Sequence, residues 1–146
     1  MNFDRLKKLD VKGKTAKYEL TELMETPTPF LIVKPAGASN PEFFNAWLAK
    51  TGASIQRLSR PGARLSADNA QRTIEAIREL FPKYIVSGWS NVKTNDGDVA
   101  PYSESACREL FAALPDWILE GLNAFCNDPS NFVDREPVDI EAVAGN

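Results

Sequence analysis

The residues able to carry chemistry are few, and their spacing argues against an active site. The 146-residue chain contains no histidine. That removes the side chain whose ordinary pKa lies nearest neutrality and excludes Ser-His and Cys-His nucleophile pairs. Cys107 and Cys126, 19 residues apart, both fall in segments that read as helix, with no further Cys and no His to complete a metal motif. They read as buried free thiols. The best carboxylate pairs for acid-base work are Asp96 with Asp98 and Asp116 with Glu120, the second at i, i+4. Neither has the partners of an active site, and turn formation and a solvated helix face account for both. Asn95-Asp96-Gly97-Asp98 also evokes a calcium loop, but counted from Asp96 the twelfth position, where a glutamate is required, is Cys107. Arg57, Arg60 and Arg64 form a basic, looped connector over 54–64 and a weak anion or nucleic-acid candidate, since the stretch has no aromatic for stacking. The sequence implies no catalytic residue, no cofactor, no metal, no nucleic-acid partner and no enzyme.

Those residues must be positioned by one domain of ordinary size, with 43% hydrophobic and 25% charged residues. No apolar run approaches the ~20 residues that span a bilayer, and the start, Met1 to Lys8, lacks an apolar signal core, so the expectation is a cytoplasmic protein with no membrane partner. The net charge of -3 conceals a split: residues 1–64 carry 11 Lys or Arg against 6 Asp or Glu, whereas residues 65–146 carry 6 against 14. Solvated faces explain this, as does attraction between the halves within one chain or between copies.

Residues 1–14 are basic and aperiodic and read as an arm. The globular domain is expected over 15–132, and 133–146 as an acidic tail too sparse in apolar residues to make a core. Thr15–Leu23 alternates, with Ala16, Tyr18 and Leu20 on one face, and Pro29–Lys34 favours a second strand; Thr26-Pro27-Thr28-Pro29 demands a wide connection. Ser39-Asn40-Pro41-Glu42 starts a helix with capping-box spacing. It runs to about Lys50, with Phe43, Phe44, Trp47 and Leu48 on one face and Gly52 ending it. Ala67, Ala70, Ile74, Ile77 and Phe81 mark the next helix, which Pro82 should end or kink. Gly97 suits a turn, and Ser103 caps a helix bearing Cys107, Leu110, Phe111 and Leu114. Pro115 opens the last helix, with Trp117, Ile118, Leu122 and Phe125 as its face. Within it Gly121 implies close approach of a neighbouring element. The fold class expected is α+β, a mostly helical single domain with a small N-terminal β unit and three to four helices.

The order Val86-Ser87-Gly88-Trp89-Ser90-Asn91-Val92, a turn with Asp96-Gly97, Val99-Ala100-Pro101-Tyr102-Ser103-Glu104-Ser105-Ala106, a helix closed by Pro115, and Phe125-Cys126-Asn127-Asp128-Pro129-Ser130-Asn131-Phe132 resembles the tail assembly chaperones of long-tailed bacteriophages. The resemblance covers about the last third of the chain; upstream only the two β-rich segments and the Ser39–Glu42 start look similar. It implies a non-enzymatic factor of the host cytoplasm, absent from the mature virion. Such a factor binds and solubilises the tape-measure protein, helps recruit tail-tube subunits and can self-associate. The alternative is a structural tail or head-completion protein retained in the particle. Trp89, Tyr102 and Trp117 are the candidate partner-binding anchors, with core or junction packing as the competing account of each.

Overall fold

The computed structural model describes residues 3–58 and 67–133. Among them a three-stranded antiparallel sheet packs with five α-helices, the α+β and mostly helical architecture expected. The sheet order is β1 (Ala16–Glu19), β2 (Phe30–Val33), β3 (Val86–Ser90). Its first two strands are the expected pair, in the register Ala16↔Val33 and Tyr18↔Leu31. The alternation is realised: Ala16 and Tyr18 are half-buried and Leu20 is buried, while Lys17 and Glu19 are exposed. The wide connection contains a 3-10 turn at Thr21–Leu23 and a cis Thr26–Pro27 bond.

The apolar run Tyr84–Val86 reads as a helical turn or a short extended piece; Tyr84 closes α3 and Val86 opens a third strand, so the sheet is not solely N-terminal. Gly88 interrupts the apolar pattern of β3, and this hides a strand from periodicity. β3 pairs with β2 through Phe30↔Ser90 and Leu31↔Trp89, with an irregularity at Ile32/Val33. Asn91 ends it at φ 62, and its side-chain amide donates to the Thr28 carbonyl at 3.2 Å. Asparagine tolerates that left-handed conformation better than most residues.

Five helices follow from local signals of differing strength. The first, α1 (Phe3–Lys7), buries none of its residues, yet Val11 just beyond it enters the core, so the basic arm is anchored there. The second, α2 (Pro41–Leu58), is capped by Asn40 instead of Ser39: the Asn40 Oδ1 accepts from the Phe43 amide at 3.4 Å, with Pro41 in the first turn. Gly52 adopts positive φ, 30°, as expected, but helical backbone resumes after it. The connector expected from residue 54 is therefore helical to Leu58. Residues 59–66, with Arg60 and Arg64, and the acidic tail from 134 lie outside the described residues.

The third helix, α3 (Ala67–Tyr84), is the hub, touching α2, α4, α5 and β3. Pro82 neither ends it nor leaves its last turn, and the helix closes two residues later. A proline so near a C-terminus removes one amide, and burial of Phe81 and Pro82 holds the turn in place. Phe81 is enclosed between Phe43 of α2 (centroids 5.5 Å) and Phe111 of α4 (6.4 Å). Helices α4 (Glu104–Ala113) and α5 (Asp116–Cys126) meet at Pro115. Ser103 caps α4 as expected, its hydroxyl accepting from the Ala106 amide at 3.0 Å.

Arg78 ties this elbow to α3. Its Nε donates to the Phe111 carbonyl at 3.1 Å, and one Nη donates to the Leu114 carbonyl at 3.0 Å and to Asp116 Oδ1 at 2.9 Å. It thereby satisfies carbonyls left open where α4 ends. Lys50 of α2 pairs with Glu79 of α3. The hydrogen bond and charge of Lys50 hold the Glu79 carboxyl below the ordinary range.

Substituting Arg78→Met should lower the unfolding free energy by about 1–3 kcal/mol in urea titrations, because two peptide carbonyls lose their donors. Asp116→Asn, which keeps the carbonyls paired, should cost less than about 1 kcal/mol. Equal effects from both variants would show that the ion pair, not the capping, holds the elbow.

Candidate partner-binding surface

The structure brings two of the three sequence-derived anchors together. Trp89 on β3 and Tyr102, just before α4, meet edge to face with centroids 5.2 Å apart and planes at 89°. Each also closes a chain junction. Trp89 Nε1 donates to the Ala100 carbonyl at 2.9 Å, and the Tyr102 hydroxyl donates to the Val86 carbonyl at 2.9 Å. Between them the chain makes the expected turn, with Gly97 at φ 85 and a Lys93↔Val99 bridge. Burial, and to a lesser degree Cys107 and Glu104, raises the Tyr102 pKa. The pair's geometry is that of a clasp fastening residues 91–103 to β3. A surface cleft of about 370 Å³ beside it is lined by Trp89, Val92, Ala100, Glu109 and Leu110 among others.

Trp117 is elsewhere and differently placed. It is 60% exposed on α5, whose buried face is Ile118, Leu119, Leu122 and Cys126. Its assignment to the helix's core face is corrected accordingly. At about 100° per residue, Trp117 lies well over a quarter-turn from the centre of that face, whereas Leu119 falls inside it. Exposure leaves the indole able to meet a partner.

Sequence reasoning also missed an exposed apolar pair on α2. Phe43 is buried and Trp47 half-buried, but Phe44 and Leu48 are exposed, at 36% and 38%. The signal was available: on a helical wheel these four side chains span an arc of about 140°, and Phe44 and Leu48 share its far side. They are i, i+4 neighbours, forming one small apolar ridge.

The other chemistry-bearing residues are structural. Cys107 and Cys126 are buried free thiols, 0% and 1% exposed, and burial pushes both up to about 12. Gly121 is closely approached, as expected: a Cβ there would stand 3.3 Å from the Tyr18 hydroxyl. Among the described residues no group of three His, Cys, Asp or Glu side chains could hold a metal ion, and no helix is long and apolar enough to cross a membrane. The side chain of Arg57 and the residues Arg60 and Arg64 of the anion candidate are not among those described.

A helical α+β domain with aromatic residues at its chain junctions and exposed apolar side chains on its helices is the class of protein defined so far. The profile of the YdaY prophage protein family matches residues 38–142, and the chain belongs to that family. The match takes in α2 through α5 and β3 and leaves β1 and β2 outside it. No curated protein matches the chain, and no solved structure does.

The thiols make a pH prediction. Folding raises each thiol's pKa, so between about 9 and about 12 the unfolded chain has lost protons that the native chain keeps. Stability should therefore be indifferent to the thiols below pH 9 and fall as pH rises through that window. Alkylation at pH 8 should leave both cysteines of the native protein unmodified and label both in urea; rapid labelling without denaturant would contradict their burial.

Proposed function

We propose that this prophage protein is a non-catalytic tail assembly chaperone: it binds the tape-measure protein in the host cytoplasm, keeps it soluble, assists recruitment of tail-tube subunits and leaves before the virion is complete. The observation that carries the reading is the exposure of Trp117 on α5, with the Phe44–Leu48 ridge on α2 beside it in importance. Large apolar side chains on otherwise well-packed helices suit weak contacts with the apolar stripes of a long helical client. Many copies along one client convert weak contacts into a stable complex through effective concentration. The stretch from Val86 to Phe132 that resembles tail assembly chaperones lies inside the family match, and membership of a prophage protein family agrees with a phage role.

The test is co-expression with the tape-measure protein of the same genome, with the mass of the purified complex determined by light scattering. The reading expects a soluble complex carrying several copies of this chain. Trp117→Ala should weaken that complex about tenfold or more while leaving the thermal midpoint within a few degrees, since the indole is mostly in water. An insoluble tape-measure protein with this chain eluting by itself would overturn the proposal and favour a structural role in the particle.

A further inference from the structure

The outer edge of β1 is self-complementary, and we infer that it pairs with the same edge of a second copy to join two sheets across a two-fold axis. β1 is an end strand in the order β1-β2-β3. Which of its backbone groups point outward follows from hydrogen-bond phase. The Leu20 amide donates to the Pro29 carbonyl at 2.8 Å, in the same register as Tyr18↔Leu31 and Ala16↔Val33. Antiparallel pairs alternate, so residues 16, 18 and 20 direct their N–H and C=O groups at β2, and Lys17 and Glu19 direct theirs at the free edge.

Two such edges, run antiparallel about Tyr18, set Lys17 of one copy opposite Glu19 of the other, and Glu19 opposite Lys17. Both are hydrogen-bonded positions, so each pair exchanges two backbone bonds, and each also places opposite charges directly across the new ladder. A register shifted by two residues loses that charge matching; a shift by one spoils the hydrogen-bond phase. Lys17 and Glu19 are half in water, with side chains 51% and 53% exposed and 3.7 Å apart. Lys17 Nζ also stands 4.0 Å from the centre of the Phe30 ring, so pairing of the edges exchanges intrachain contacts for interchain ones. A groove of about 500 Å³ lies beside the start of β1, lined by Thr15, Ala16 and Lys17 and by Phe125 and residues 130–133. On the core side Tyr18 packs against α5, its ring edge to face with Phe125 at 5.0 Å and its hydroxyl beside Gly121. An isologous contact of this kind closes on itself and gives a dimer, not a filament. The inference does not rest on the client-binding function.

The full chain should show a concentration-dependent monomer–dimer equilibrium by sedimentation between about 10 µM and about 1 mM. Lys17→Glu alone and Glu19→Lys alone each oppose like charges twice across the interface and should weaken the dimer about tenfold. Mixing the two single variants restores opposite charges at both positions and should restore association as a heterodimer; the double exchange in one chain should dimerise like the parent. Unchanged circular dichroism and melting of the variants would confirm that only the interface was altered. A parent chain that remains monomeric at 1 mM, or single variants that associate as well as the parent, would overturn the inference.

Discussion

Burial of one helix face, the Ile74–Ile77–Phe81 stripe of α3, is the constraint on which the remaining structure depends. Every other layer is arranged to cover it. Phe43 from α2 and Phe111 from α4 close on Phe81 from two sides. α5 and β3 complete the enclosure. Full burial of side chains of this size contributes about 1.5–3 kcal/mol each, more than an exposed ion pair does. The polar contacts act at the margins of that core. Arg78 caps the α4 carbonyls, Asn40 donates to the Tyr84 carbonyl at 3.2 Å, and the Trp89–Tyr102 clasp holds the β3–α4 connection.

Elements with a strong period or a cap were legible in the sequence. The α3 stripe, the Ser103 cap, the Gly97 turn, the alternation of β1 and the close approach at Gly121 all express a local rule whose outcome tertiary packing did not reverse. Failures arose where a local rule met a competing contact. Pro82 is expected to end or kink α3, but in the last turn it removes only one amide, and its buried ring is held by packing. Ser39 had capping-box spacing, yet Asn40 sits one residue nearer the helix and takes the role. Only the apolar start of β3 at Val86 is legible, because Gly88 breaks its pattern and its pairing partner lies more than fifty residues away.

The candidate surface was partly legible. Trp89 and Tyr102 were recognised as junction aromatics, and a junction is what they build; their indole and hydroxyl donors are engaged by the chain's own carbonyls. Trp117 was grouped with the wrong face because Leu119 and Cys126 rotate the buried arc away from it. Phe43, Phe44, Trp47 and Leu48 share one face by spacing, which suggests burial of all four, while the wheel leaves Phe44 and Leu48 at its edge. Separating a wide apolar face into its buried and exposed halves requires knowing where the neighbouring helix lies, and α3 supplies that only after folding. What results is a helical body that leaves large apolar side chains in water at several places, among them Phe3, Met24, Val99, Trp117 and the Phe44–Leu48 ridge.

A chaperone of assembly and a component of the particle differ in where the chain ends up. The most direct measurement is quantitative mass spectrometry of this chain and the tape-measure protein, in lysates of induced cells and in purified particles from the same culture. The account predicts that the chain co-purifies with the tape-measure protein in the lysate and is absent from the particles. Stoichiometric recovery of the chain from purified particles would contradict it.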